Sequence, residues 1–199
     1  MPKVGMEPIR RRQLIDATIG AIHEHGFADT TVSRISARAG VSTGIVHHYF
    51  RGKDDLLEAT LRAIAAALRR DTTDRLARAR SPRERIDAVI DSNLAPDRFT
   101  PEAVSAWLAF WSQVPTSAQL ARIQRIIMQR VHSNLVHALR ALVPGEQAQK
   151  IAAGLGILID GLWLRAALSK ELPDTEFALM LARDYLDRQL REFRHEEFA

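Results

Sequence analysis

Proline placement constrains this chain more than any other feature. After Pro8 the sequence runs to Pro82 without one, and the later prolines, Pro96, Pro101, Pro115, Pro144 and Pro173, stand at the edges of apolar-periodic stretches. Proline has no amide N–H and clashes inside a helix, so it marks first turns and the residues just past helix ends. Between these marks apolar residues recur at three- and four-residue steps, and alternating β-branched runs are missing. The pattern predicts an all-α chain of about nine helices.

The first 80 residues are punctuated by glycine instead. A helix over about 8–25, with Ile9, Leu14, Ala17, Thr18, Ala21 and Ile22 on one side, should stop at Gly26. Thr31 or Ser33 can cap a short second helix ending at Ala39, and Ser42 can cap a third over 43–50. A long helix is expected over 54–80. Further helices are predicted over about 82–95, 101–111, 117–142, 145–169 and 173–193. No Gly/Ser-rich linker interrupts the chain. The long helix should therefore join an N-terminal domain, residues 1–53, to a second domain, residues 54–199.

Composition narrows the function. The 199 residues carry a formal charge of +4, and residues 1–53 hold eight of the 28 basic side chains but only four of the 24 acidic ones. The excess charge thus lies in the first domain, which suits a polyanion-binding module on a neutral body. Cysteine is absent, which excludes disulfides, thiolate catalysis and cysteine-held metals. No stretch of 18 apolar residues lacks charge, the longest apolar run, 157–164, being broken by Asp160. No membrane span is expected. Residues 1–6 lack the apolar core of an export signal, so a cytoplasmic location is expected. No HExxH, phosphate loop or GxSxG occurs, so neither enzymatic activity nor a cofactor is expected. His23 and His25, like His47 and His48, diverge around their helices, which argues against a zinc site.

The stretch TTVSRISARAGVSTGIVHHYFRGK, residues 30–53, carries the most specific signal. A helix-turn-helix needs two short helices joined by a tight turn. Gly40 suits the positive φ after the second helix, and Val41 can plug the angle between the two. Ile35, Ala39, Val46 and Phe50 are spaced to share a core with the first helix. Thr43, Gly44, His47 and His48 are left on the outer side, as small or planar polar groups able to reach base edges in a major groove. Gly44 permits close approach, Tyr49 can offer its hydroxyl to a phosphate, and Lys53 stands where helix amides also attract phosphate. A plain αα corner would have the same core spacing.

Residues 8–60 resemble the DNA-binding domain of the TetR family of bacterial repressors. The resemblance rests on the first helix, Thr31-Val32, AGVSTG (39–44), HHYF (47–50), and Lys53 with Leu56-Leu57. It implies a homodimer whose recognition helices, about 43–50, read a palindromic operator in double-stranded DNA. Thr43, Gly44, His47, His48, Tyr49 and Lys53 would face that DNA. The opening MPKVGMEPIRRRQLIDAT, VSTGIVHHYFRGKDDLLEAT (41–60), AWLAFW (106–111) and LIDGLWLRAALS (158–169) are similar to a choline-responsive branch of the family. That branch represses genes for choline uptake and glycine betaine synthesis. Little of the resemblance rests on residues 69–104, so it supports no ligand contacts there.

The residues themselves permit a quaternary-ammonium site. Such a cation has charge but no N–H donor, so aromatic faces and a nearby acid suit it. Trp107, Phe110 and Trp111 are spaced to share a helix face, and Asp160 and Trp163 stand one turn apart in an apolar helix. Ordinary core packing would also explain the aromatics, and a salt bridge the acid. The same fold could instead serve an efflux gene and sense other lipophilic cations. A helical interaction protein would turn the basic end toward a protein partner and never meet DNA. Dimer contacts are expected through about 146–169 and 174–193. There Ala152, Ala153, Gly154, Gly156 and Gly161 allow close approach, and Phe177, Leu181, Leu186, Leu190 and Phe193 form an apolar stripe.

Overall fold

A computed structural model describes residues 6–169, 171 and 174–196. Among these residues every regular element is helical: α1 (Met6–Asp29), α2 (Val32–Arg38), α3 (Thr43–Tyr49), α4 (Lys53–Arg78), α5 (Pro82–Leu94), α6 (Pro101–Gln113), α7 (Ala118–Leu139), α8 (Gly145–Leu168) and α9 (Thr175–Glu196). A 3-10 turn, Val114–Thr116, follows α6. The all-α prediction and its breakpoints hold. Gly26, at φ 72°, breaks the helical path of α1 where the sequence places a stop, although helical residues resume as far as Asp29. Ser42 and Thr31 cap α3 and α2 through their side chains, and Ser81 with Pro82 opens α5. The expected start of the ninth helix at Pro173 lies outside the described residues.

The chain divides into two compact units. One comprises residues up to Ala66 together with Pro101–Ile123, and the other Ala67–Thr100 together with residues from Gln124 onward. The helices α4 and α7 each contribute to both. The N-terminal unit therefore takes in α6 as well as the helix-turn-helix, because α6 packs extensively on α1. Its core holds Leu14, Ala17, Ala21, Ile35, Ala39, Val46, Phe50 and Leu56, with Val41 packed against them. The expected shared core of the first three helices is thus formed. Ile9, which the periodicity placed on that face, is exposed, since it precedes the first point at which α1 meets the core.

In the second unit Ile86, Ile90, Leu94, Leu135, Leu139, Ile151, Leu155 and Leu186 are fully buried. Each such side chain contributes roughly 1.5–3 kcal/mol. At the edge of that core, Arg83 pairs with Asp87 of its own helix and Asp187 of α9, and Arg183 of α9 bonds Asp91 at 2.6 Å. These pairs fix the register of α5 against α9. A Cβ at Gly154 of α8 would fall on the hydroxyl of Tyr185. Gly154 therefore serves packing inside one chain rather than contact between chains. Gly154→Ala is expected to lower stability by about 1–3 kcal/mol, measured as a fall in Tm. An unchanged Tm would mean that the tyrosine ring swings clear.

One element departs from the membrane argument made on sequence. Helix α8 is long and apolar enough to cross a membrane by length and composition, despite Asp160. The requirement of a charge-free stretch was too strict, because a span tolerates a charge or two. In this fold Ile151, Ala152, Leu155, Ile159, Leu162 and Trp163 of α8 are buried within the chain.

Candidate functional site

The outward side of α3 is built as the spacing requires. Val46 is buried, whereas Thr43, Gly44, His47 and His48 are exposed. Gly44 has no structural need to be glycine. Its φ is not positive, and a Cβ there would meet only Ser42 Oγ, at 3.7 Å. Glycine inside a helix costs about 1 kcal/mol relative to alanine. A position that bears this cost with open space around it suits close approach by something outside the chain.

Two other residues assigned to DNA are partly engaged inside the fold. Tyr49 is half-buried against the N-terminal core, its ring edge-on to His48 at 4.9 Å. Lys53 donates to the carbonyl of Phe27 at 2.8 Å, and its ammonium sits 4.3 Å over the Phe27 ring. That contact ties the start of α4 to the end of α1. An ammonium has three donors, so one contact still leaves Lys53 able to reach a phosphate. The arginines at positions 10–12 pair along their own helix, and Arg11 also lies over the Phe50 ring at 5.0 Å. Arg11 pairs with Glu7 and Arg12 with Asp16, while Arg10 donates to Gln13. Among the described residues no group of three His, Asp or Glu could hold a metal ion.

The residues proposed from sequence for an effector fall into both units. On α6, Trp107 stands edge-on to Phe110 at 6.4 Å and tilted against Trp111 at 5.8 Å. The trio shares one face as its spacing demands, with Trp107 and Phe110 buried. It belongs to the N-terminal unit. In the second unit Trp163 is buried, with its ring edge-on to Phe99 at 4.9 Å and its indole N–H donating to the carbonyl of Asn93 at 3.3 Å. Sequence reasoning missed Phe99 and Asn93. They lie outside the segments on which the sequence resemblance rests, although the family match reported below covers them, and contacts across some 64–70 residues leave no local pattern.

Asp160, one turn before Trp163, is the most perturbed acid. It is half-buried, and no cation among the described residues pairs with it. Burial alone pushes its carboxyl up from 3.8 to about 6. Taking a carboxylate from water without a partner is unfavourable. The salt bridge that would have explained this residue structurally is not formed among the described residues.

The outer sides of α8 and α9 are apolar. Ile157 and Leu168 are each 73% exposed, with Leu164 between them and Phe177 and Met180 exposed on α9. Ile157, Gly161, Leu164 and Leu168 follow steps of four, three and four, which form one stripe. Cβ atoms at Gly156 and Gly161 would meet nothing. Leu186, expected on an outward stripe, is instead fully buried inside the chain. The side chain of Phe193 lies outside the described residues.

Comparison with known proteins identifies the family. The family of bacterial regulatory proteins named tetR matches residues 14–60, and the C-terminal region of BetI-type transcriptional repressors matches residues 82–191. The chain is 45% identical over 190 residues to the HTH-type transcriptional regulator BetI of Brucella anthropi, covering 96% of this chain and 98% of that one. It is 48% identical over 191 residues to the BetI regulator of Burkholderia mallei, with the same coverage. Among solved structures, a TetR transcription regulator from Haloarcula marismortui superposes with a TM-score of 0.80 at 27% identity, covering 91% of this chain and 98% of that one. A putative transcriptional regulator from Saccharomonospora viridis, solved in complex with choline, superposes with a TM-score of 0.77 at 19% identity, covering 89% and 95%. At that identity the likeness is one of fold.

Proposed function

Because this chain belongs to the TetR family of bacterial regulatory proteins and is a DNA-binding repressor, we propose that it represses genes for choline uptake and glycine betaine synthesis and responds to choline. The observation that carries this reading is the BetI likeness along nearly the whole chain, at 45–48% identity. It includes the segments bearing Trp107, Phe110, Trp111, Asp160 and Trp163. The unpaired, half-buried Asp160 supports it. Choline is a permanent cation without N–H donors, so it suits a carboxylate without hydrogen-bond donors around it and aromatic faces nearby.

Residues 1–53 supply the DNA-reading part in this proposal, and residues 54–199 the effector and dimer parts. Two copies join through the exposed apolar stripe of α8 and the outer side of α9. Their recognition helices, α3, then stand roughly 34–36 Å apart to enter successive major grooves of a palindrome. Choline acts by binding two arrangements of the dimer unequally, and shifts operator affinity only by that difference. Cytoplasmic location follows from this role.

The direct test is a choline titration followed by tryptophan fluorescence, with glycine betaine and tetramethylammonium as comparisons. A saturable change with choline is expected. No change up to tens of millimolar choline overturns the choline assignment. The DNA contacts have their own test. His47→Ala is expected to lose roughly 1–3 kcal/mol on the operator and little on random duplex, because base reading is sequence-specific. Lys53→Ala is expected to weaken both and flatten the salt dependence. Equal losses for His47→Ala on the two DNAs would remove it from the base-reading set.

A further inference from the structure

The packing of α6 on α1 contains a directed hydrogen-bond chain. Ser105 of α6 donates its hydroxyl proton to the carbonyl of Pro101, one turn back, at 2.9 Å. A serine hydroxyl has one proton. The bond between Ser105 Oγ and His23 Nδ1, 3.0 Å apart, must therefore have the imidazole Nδ1–H as its donor. The next residue of α1, Glu24, accepts from Arg38 of α2. The Arg38 guanidinium lies across Gly20, where any Cβ would collide with it. Adjacent residues of α1 thus hold α6 on one side and the first helix of the helix-turn-helix on the other.

The faces of α6 are divided in a matching way. Ser105 and Trp107 are two residues apart, about 200° around a helix. The aromatic trio and the bond to His23 therefore lie on opposite sides of one rigid element. A displacement of α6 by anything bound against its aromatic side is passed to α1 at Ser105. The glycine at position 20 makes sense in the same frame, since it lets Arg38 lie flat on α1 and reach Glu24.

We propose that His23 is a positioning residue through which α6 sets α1, α2 and α3, so that effector occupancy reaches the DNA-reading surface across the His23–Ser105 bond. This rests on the reading that choline binds against the aromatic side of α6.

The test compares full-length wild type with His23→Ala, Ser105→Ala and His23→Asn, whose amide can donate from near the Nδ1 position. Choline affinity is read by tryptophan fluorescence, and operator affinity by anisotropy on a duplex selected in vitro, with and without choline. In both alanine variants, choline affinity and choline-free operator affinity are expected to stay within about twofold of wild type. The choline-induced change in operator affinity is expected to shrink about fivefold, the worth of one neutral hydrogen bond. His23→Asn should restore it. A change as large as wild type in both alanine variants overturns the proposal.

Amide exchange of residues 21–29 in the choline-free protein gives an independent readout. Faster exchange is expected in both alanine variants and not in His23→Asn, and unchanged exchange overturns the proposal. Should wild-type operator affinity ignore choline, the choline reading fails, and the exchange comparison still decides the role of His23.

Discussion

Asp160→Asn is expected to stabilise the choline-free protein and at the same time to weaken choline binding at least tenfold. The two effects have one cause. The carboxyl titrates near 6 because burial disfavours its charged form. A carboxyl whose folded value lies above its unfolded one holds a proton in the native state over a window where the unfolded chain has lost it. Native stability therefore falls as pH rises from about 4 to about 6, and the loss is complete above that window. At pH 7.5 it amounts to no more than about 2 kcal/mol once partial exposure is allowed for. The amide removes it, so Tm should rise by a few degrees at pH 7.5. The gain should vanish near pH 4, where the acid is neutral in both states.

Choline reverses the balance for the wild type. In the proposed site a bound quaternary cation would be the partner of the carboxylate, so choline affinity should fall as pH drops below about 6. In Asp160→Asn that affinity should be weak and independent of pH between 5 and 8. Choline binding of wild-type strength in the variant would remove Asp160 from the effector site.

The second large effect concerns α8. Ile157→Asp or Leu168→Asp is expected to leave the monomer folded, since both side chains are 73% exposed. Each should convert a dimer into monomers by placing a charge on the apolar stripe that the partner would cover. Operator affinity should then fall on the order of a thousandfold, because two half-sites would no longer be bound as one. Sedimentation gives the mass, and anisotropy on the same duplex gives the affinity. A dimer that survives both substitutions would exclude this stripe as the interface.

Much of the molecule is legible in the sequence because its signals are local. The helix boundaries follow from proline and glycine, whose effects act within one turn. Ser42 caps α3, and Val46, Phe50, Ile35 and Ala39 meet in one core, because helical spacing alone decides which side chains share a face. The face shared by Trp107, Phe110 and Trp111 follows from the same rule. Where the reading failed, the deciding contact was distant in sequence. Gly154 and Leu186 fit a partner-facing pattern by spacing, yet both are used inside this chain, Gly154 by Tyr185. The contact of Lys53 with the carbonyl of Phe27 is likewise distant in sequence, and it adds to the phosphate role expected of that residue.

The sequence by itself determined the helices, the helix-turn-helix and the outward side of α3, since these depend on intrinsic backbone preferences and on a period of 3.6 residues. Only the tertiary structure decided that α6 packs on α1 through His23 and Ser105, that Phe99 and Asn93 meet Trp163, and that Asp160 is half-buried without an ion-pair partner among the described residues. Periodicity says which residues share a face of a helix. It does not say which helix that face will meet, and a carboxyl's pKa depends on that neighbour and on how much water remains.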